Sequence, residues 1–462
     1  MIRLFRVFIP KSVLGLLLSD FLLLFGCLLL PIYLLIPSAD IYLLYEDGLS
    51  KITFLVVTLM MGLYYQNLYT DIRVRNRMML VQQVILTVGV GLMVQAVLAY
   101  VVPDFLAPRW SMLVGLLLII ILLPLWRIAY SVHGYKGLGT ERVLFLGADT
   151  VGIEMAQEFE NRPELGFVVV GFVDNMRPPG TPVGGSTILG PVSELARLVA
   201  DLKPGRIVAN LEERRDSLPV MTLLDLRFNG LRIEEAATLY ETMFGRVTIR
   251  KLRPSQLIFS SELNSRPSSM RLQVIYSMLL GVVGFILAAP VMVLVAIAVK
   301  ITSPGPILFR QKRVGLNGST FTLYKFRSMV ANAEAKTGAV WATRDDPRVT
   351  PLGRIMRRTR LDELPQLINV LRGEMSVIGP RPERPEFVAT LSEQIPFYRQ
   401  RHCVRPGLTG WAQINYKYGE TIQDAITKLE YDLYYIKNLS PALDSYIVFH
   451  TVKVMLFSQL GQ

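Results

Sequence analysis

Apolar residues fill four runs in the first third of this chain, at about residues 12 to 36, 52 to 69, 79 to 102 and 111 to 132. Each is close to the roughly 20 residues that a helix needs to cross a hydrocarbon layer, so four transmembrane helices are expected. The first run is too long for a removable signal peptide and lacks a small-residue cleavage site, so it should stay as an anchor. From Glu141 the pattern changes. Short strand-like runs, RVLFLGA, FVVVGFVD and RIVAN, alternate with the helical stretches GIEMAQEFEN and PVSELARLVADL. That alternation reads as a βαβαβ, Rossmann-like α/β domain ending near Ser255. A fifth apolar run, Leu272 to Val299, is long enough to span a bilayer but contains Pro290, which predicts a bend near Ala288 and Ala289. Hydropathy alone favours a crossing, whereas the flanking bases Arg271 and Lys300 suit entry and exit on one side.

Composition sharpens this picture. The 462 residues are 51% hydrophobic, yet 49 Lys+Arg against 37 Asp+Glu leave a formal charge of +12. A membrane protein with basic flanks has that combination. Arg3, Arg6 and Lys11 precede the first run, Arg73, Arg75 and Arg77 follow the second, and Lys136 and Arg142 follow the fourth. The two remaining loops hold Asp40, Glu46, Asp47 and Asp104, with only Lys51 and Arg109 as bases. Both ends of the bundle, and everything attached at Gly134, therefore face the cytoplasm. Nucleic acid is excluded as a partner because no basic reading element is recognisable. Two cysteines, Cys27 and Cys403, and three scattered histidines, His133, His402 and His450, build neither a disulfide framework nor a zinc site. Any metal has to be held by carboxylates.

The turn Gly147-Ala-Asp-Thr-Val-Gly152 lies where a dinucleotide fingerprint would lie, with Asp174 ending the second strand. It matches poorly: Asp149 stands where a glycine is wanted and its charge would face a pyrophosphate. A structural or regulatory role is favoured over nucleotide binding for this domain.

Residues 302 to 416 carry five dense polar and glycine-proline stretches: SPGPILFRQKRVG, LYKFRSM, RLDELPQ, GEMSVIGPRPERP and RPGLTGWAQIN. In RLDELPQ, Pro365 suits the first turn of a helix, so a helix is expected from near Leu361 to Gly373 with Asp362 and Glu363 at its N-terminus. There the helix dipole favours ionised carboxylates, the form that attacks phosphorus or holds a divalent cation. A capped helix with salt bridges is the plain alternative for those residues alone. Arg354 and Arg358 lie eight and four residues before Asp362, with Arg357 and Arg360 adding charge. Lys325, Arg327, Arg358, Arg381 and Arg384 are candidates for clamping phosphate oxygens; a basic face on anionic lipid is the other reading. Gly379, Pro380 and Pro382 would stiffen the approach of Arg381. Trp411 could stack on a base or sugar, or simply pack. The stretch Leu429 to Ile436 and the run Tyr446 to Leu460 could lie on the membrane surface or close a core.

With these five stretches in this order, the chain resembles the bacterial polyprenyl-phosphate sugar-1-phosphate transferases, also called monotopic phosphoglycosyl transferases, over roughly residues 270 to 437. The bundle and Rossmann-like domain before them resemble the long-form members. The resemblance implies three parts: a membrane bundle (1–135), a Rossmann-like domain (136–255), and a re-entrant helix (about 271–300) carrying a small α-rich catalytic domain (256–462). It implies that Asp362 attacks the β-phosphate of a UDP-sugar, that UMP leaves, and that undecaprenyl phosphate then takes the phosphosugar. Glu363 would bind Mg²⁺, with Asp362 as the other metal carboxylate, or assist the acceptor. It also implies a break at Pro290 that returns the helix to the side it entered, where smaller members have Ser before the proline and this chain has Ala289. The expected setting is the lipid bilayer of the bacterial inner membrane, with the catalytic domain on the cytoplasmic face and a homodimer as a further expectation.

Two rivals remain. A membrane nucleotide-sugar dehydratase needs a Tyr-xxx-Lys pair, and none of the 19 tyrosines has lysine four residues later. A membrane scaffold or nucleotide sensor with an inactive transferase domain is opposed by the intact Asp362, Glu363, Lys325 and Arg381.

Overall fold

The computed structural model describes residues 2–4, 7–66, 68–69, 77–102, 108–131, 140–211, 218–252, 267–330, 348–416 and 421–457. Outside them lie Arg6, Arg73, Arg75, Asp104, His133, Gly134, Lys136 and Ser255, and with them the expected boundaries at 135 and 255. The chain divides into two compact units, Phe8–Ala236 with Met1–Arg3, and Ala237–Gln462 with Leu4–Val7.

The first unit opens with helices α1 (Lys11–Leu35), α2 (Ala39–Tyr45), α3 (Gly48–Tyr65), α4 (Arg77–Val101) and α5 (Arg109–Ala129). All but the short α2 are long and apolar enough to cross a membrane. Leu24, Leu55, Leu59, Leu116 and Ile119 fill their shared core while Leu18, Leu34, Met93 and Leu117 point outward. Helices apolar on both faces are what a lipid surround selects. Two charges sit inside as a pair: Arg127 Nη2 lies 2.5 Å from Asp20 Oδ2, and Tyr69 donates to the same oxygen at 3.0 Å. Mutual neutralisation is how ionisable side chains persist in such a place.

The same unit continues into a six-stranded sheet. Its strands are β1 (Glu141–Leu146), β2 (Phe167–Val173), β3 (Pro182–Val183), β4 (Ser186–Gly190), β5 (Arg206–Ala209) and β6 (Arg232–Glu235), in the order β3-β4-β2-β1-β5-β6. All neighbours run parallel except the β3–β4 edge pair. Helices α6 (Thr150–Asn161), α7 (Leu195–Leu202) and α8 (Val220–Phe228) intervene. The strand order reverses at β1, as expected of a doubly wound sheet. The inner strands β1 and β2 are short and apolar through their centres, where the sheet is covered: Phe145 in β1 stacks on Phe172 at 5.0 Å and meets Phe159 of α6 at 6.2 Å.

The second unit takes in most of α9 (Ala236–Phe244), which falls within the bounds 136–255 expected for the Rossmann-like domain. Its contacts explain the shift. Glu241 pairs with Lys437 at 2.9 Å and the Gly245 carbonyl accepts from Trp411 Nε1 at 2.6 Å. The 36-residue helix α10 (Pro267–Thr302) follows, helical through Pro290. Then come a hairpin of β7 (Leu308–Val314) and β8 (Thr320–Phe326), helices α11 (Pro351–Thr359) and α12 (Gln366–Leu371), and β9 (Ser376–Ile378). The unit ends with α13 (Pro385–Gln394), β10 (Gly407–Thr409) parallel to β9, α14 (Trp411–Asn415), α15 (Ile422–Asn438) and α16 (Pro441–Phe457). In the hairpin Thr320 faces Val314 and Lys325 faces Phe309.

Leu433, Tyr434, Tyr435, Leu443 and Ile447 are buried in the core of this unit. The aromatic stretch of α15 therefore closes a core. Trp411 is buried as well, stacked on Tyr434 at 5.6 Å, so packing is its role.

Helix α10 meets the rest of its unit along one stripe. Gln273 donates to the Ile378 carbonyl at 3.1 Å, and the Ser277 and Ser376 hydroxyls lie 2.7 Å apart. A Cβ on Gly281 would stand 2.9 Å from Val370 of α12, so glycine is what allows α12 so close. Past Pro290, Val295 and Val299 pack with Phe326, Met356, Leu361 and Leu364. The opposite faces, with Ile275, Leu279, Ile286, Leu294 and Ile301, are exposed and apolar.

Candidate functional site

The chain reaches the carboxylate pair through a sharp reversal. Thr350 caps α11 by accepting from Gly353 N at 2.9 Å, and α11 ends at Arg360, which adopts a left-handed conformation (φ 59°). Asp362 and Glu363 then occupy a 3₁₀ turn, Leu361–Glu363, and α12 begins only at Gln366. The continuous helix expected from Leu361 is thus split into a turn and a short helix. Arg360 reverses the backbone, and Pro365 has no N–H to carry a helix across the junction.

Glu363 is the meeting point of the cations. Its Oε1 accepts from Lys325 Nζ at 2.9 Å and from Arg381 Nη2 at 2.7 Å, and its Oε2 lies 3.5 Å from Arg360 Nη1. Asp362 is 6% exposed, and its Oδ1 is buried with no hydrogen-bond partner among the described residues. Their electrostatics diverge accordingly. Burial raises the Asp362 carboxyl, and the Glu363 charge adds to the rise against the pull of Lys325, Arg357 and Arg360. Burial also pushes Glu363 up, but Arg381, Lys325 and Arg360 outweigh it and hold it well below the usual glutamate range.

The other candidates fall in different places. Arg358 is exposed on α11, while its neighbour Arg357 donates to Ser328 Oγ at 3.0 Å. Arg327 is buried and donates to Ser303 at the end of α10, to the carbonyl at 2.7 Å and to Oγ at 2.6 Å. Arg384 precedes α13, 3.8 Å from Glu386 and over the Phe387 ring. Lys325 and Arg381 therefore come together at the carboxylates, and Arg327 anchors the strand to α10.

Asn369 was not singled out by sequence reasoning. It is fully buried on α12, and its amide pairs with β8 as a strand would: Oδ1 accepts from Tyr324 N at 3.2 Å and Nδ2 donates to the Thr322 carbonyl at 2.7 Å. This fixes the strand carrying Lys325 against the helix that follows Glu363. The available signal was a lone amide in the apolar stretch LINVL.

The turn after β1 is closed by its own residues. Asp149 caps α6, accepting from Gly152 N at 3.0 Å, and Asn210 at the end of β5 donates to the same carboxylate oxygen. A side chain on Gly152 would meet Asn210 Nδ2 at 2.5 Å.

Chemically, the second unit presents a buried Asp362 oxygen that has no hydrogen-bond partner among the described residues, next in the chain to the Glu363 carboxylate that is the present counterion of Lys325 and Arg381. Hard carboxylate oxygens suit Mg²⁺, and the orphaned Asp362 Oδ1 fits that ion. Glu363, already matched by three cations, fits it only if they let go.

Two family models match the chain, that of bacterial sugar transferases over residues 268–458 and that of a CoA-binding domain over residues 65–207. A curated UDP-N-acetylgalactosamine-undecaprenyl-phosphate N-acetylgalactosaminephosphotransferase of Aeromonas hydrophila is 45% identical over 216 residues, 47% of this chain and 50% of that protein. Two proteins called UDP-glucose:undecaprenyl-phosphate glucose-1-phosphate transferase are similar over more of their length. That of Escherichia coli (strain K12) is 36% identical over 329 residues, 69% of this chain and 68% of the relative. That of Klebsiella pneumoniae is 33% identical over 337 residues, 71% and 70%. The match thus spans about half of the first relative and about two thirds of the other two.

Proposed function

Because the chain belongs to the bacterial sugar transferase family, we propose that it moves a hexose-1-phosphate from a UDP-sugar to undecaprenyl phosphate, releasing UMP, as the first membrane step of exopolysaccharide or capsule synthesis. The observation that carries the reading to particular residues is the buried Asp362 Oδ1, without a hydrogen-bond partner among the described residues, on the residue next to Glu363, which holds Lys325 and Arg381.

Asp362 is the nucleophile. Its carboxylate oxygen bonds to the β-phosphorus as the bond from that phosphorus to the oxygen bridging the α-phosphate breaks, and UMP leaves with the electron pair. A phosphate oxygen of undecaprenyl phosphate then attacks the same phosphorus, expelling Asp362 and restoring it. Lys325 and Arg381 turn from Glu363 to the oxygens of the incoming diphosphate, neutralising charge that grows in the transition state. Glu363 holds both cations in place until then. Asp362, with Glu363 nearby, would hold Mg²⁺, which would supply further charge neutralisation.

In this reading α10 enters and leaves the same leaflet, turning at Pro290, and holds the site at the headgroup level on the cytoplasmic face of the inner membrane. Two features support it. Both halves of α10 pack on the catalytic unit, Gln273 to Gly281 on β9 and α12 and Val295 to Val299 on β8, α11 and the turn that carries Asp362, and basic residues flank both ends.

The test is UMP release by the purified protein from a panel of UDP-sugars with Mg²⁺ and undecaprenyl phosphate, beside Asp362→Asn. Release with one or two sugars, lost in the variant, is expected; silence across the panel from folded protein favours the scaffold or sensor instead.

A further inference from the structure

We infer that Arg401 is a positioning residue for this reaction, acting through the backbone of Arg381; the inference rests on the reading of the site just given. The segment Gly379-Pro380-Arg381-Pro382-Glu383 has two prolines and so too few N–H groups to bind itself into a ladder. Its carbonyls are instead gripped one by one from outside. Pro380 O accepts from Gly407 N at 2.9 Å, Arg381 O from Arg401 Nη2 at 3.0 Å, Pro382 O from Arg313 Nη1 at 2.9 Å, and Glu383 O from Val314 N at 2.9 Å.

Arg401 is the buried charge among these donors, and its own orientation is fixed. Nε and Nη2 face Asp432 Oδ2 at 3.1 and 2.8 Å, and Nη1 donates to the Tyr398 hydroxyl at 2.8 Å. Asp432 is itself 1% exposed on α15, deep in the core. A planar guanidinium engaged at all three nitrogens has no freedom left, so the Arg381 carbonyl is held to the core of the unit by a rigid fork. On the other side of that peptide, the Arg381 side chain reaches Glu363 at 2.7 Å, next to Asp362. A lysine at 401 keeps the charge for Asp432 but cannot serve three partners in one plane. Displacement of a substrate-clamping group by about 1 Å costs on the order of 10²-fold in rate.

The experiment compares wild type, Arg401→Lys and Tyr398→Phe as full-length protein, following UMP release, melting temperature and amide hydrogen exchange. Tyr398→Phe frees Nη1 while leaving the Arg401–Asp432 pair covered, so it serves if the lysine variant fails to fold. For Arg401→Lys, kcat should fall about 10- to 100-fold with KM for the UDP-sugar nearly unchanged, and exchange at Arg381 and Glu383 should quicken about tenfold. Tyr398→Phe should show a smaller loss with the same split. Adding Arg401→Lys to Arg381→Lys should slow that variant by no more than about twofold, because the route through Arg381 is already broken. Unchanged kcat, or losses that multiply, overturn the inference. A folded wild type that releases no UMP defeats the functional reading instead, and exchange then decides the structural part: unchanged rates at Arg381 and Glu383 overturn the hold of Arg401 on that segment, and faster exchange confined to it upholds that hold alone.

Discussion

Lys325 Nζ stands 2.9 Å from Glu363 Oε1, across 38 residues of sequence, and Arg381 reaches the same oxygen at 2.7 Å. One carboxylate oxygen is counterion to two cations from separate stretches of chain, and it belongs to Glu363. The adjacent Asp362 has an oxygen that none of the described residues engages. Neighbouring carboxylates whose environments drive their proton affinities apart are suited to different tasks, one holding and one attacking.

Glu363→Gln should move the pH dependence of UMP release. In the proposed reaction Asp362 attacks in its ionised form, so the rate should rise with pH through its pKa, which burial and the Glu363 charge place above the ordinary aspartate value. The substitution removes that charge and frees Lys325 and Arg381 to face Asp362, and both changes lower the pKa. The acidic limb is expected at lower pH, with a plateau reduced by roughly 10²-fold as the cations lose their holder. A limb that stays in place would show that the two carboxylates do not interact.

Asn369→Ala should cost both stability and activity. It leaves Tyr324 N and the Thr322 carbonyl unpaired in the interior, at about 1–3 kcal/mol for each group. Thermal unfolding should begin at lower temperature, and UMP release should fall further than the remaining folded fraction accounts for, because Lys325 follows Tyr324 on the same strand. Activity that simply tracks the folded fraction would remove Asn369 from the positioning of Lys325.

Trp411→Phe keeps an aromatic ring against Tyr434 and loses the hydrogen bond to the Gly245 carbonyl. A destabilisation of about 1 kcal/mol is expected, with the order of preference among UDP-sugars unchanged. An altered order in the sugar panel would mean that the indole reads the donor after all.

Asp444→Asn should change how stability varies with pH. Burial pushes the Asp444 carboxyl up to about 6, although Tyr276, Tyr435 and Gln273 all donate to it. Its folded value exceeds the unfolded value near 3.9, so the folded chain holds the proton more tightly. The stabilising contribution is greatest below the unfolded value and is lost as pH rises through about 6. An asparagine cannot titrate, so the melting temperature of the variant relative to wild type should rise between pH 5 and pH 7. A constant difference would contradict this.

The large divisions were legible because each rests on periodicity. Lipid demands long apolar helices and a two-faced sheet demands short apolar strands, and both leave marks in local sequence. The five polar stretches marked the candidate site, but not which arginines face it. Arg354, Arg357, Arg358 and Arg360 read alike; whether each turns toward Asp362 depends on the left-handed residue at 360, which has no sequence signal when it is not glycine. Asn369 and Arg401 were missed because they act on backbone atoms of distant segments, and a donor's partner across tens of residues leaves no local pattern. The place of α9 escaped for the same reason, since its attachment rests on Lys437 and Trp411 far downstream.

The cap at the start of α6 bears on what the Rossmann-like sheet can do. An anion seeking that helix start would compete with Asp149, tethered three residues from the N–H it occupies and braced by Asn210. A tethered group acts at the effective concentration of an intramolecular partner, in the millimolar range or above, so a free nucleotide at ordinary cellular levels begins at a disadvantage. The start of that helix is thus already occupied by side chains of the sheet's own domain.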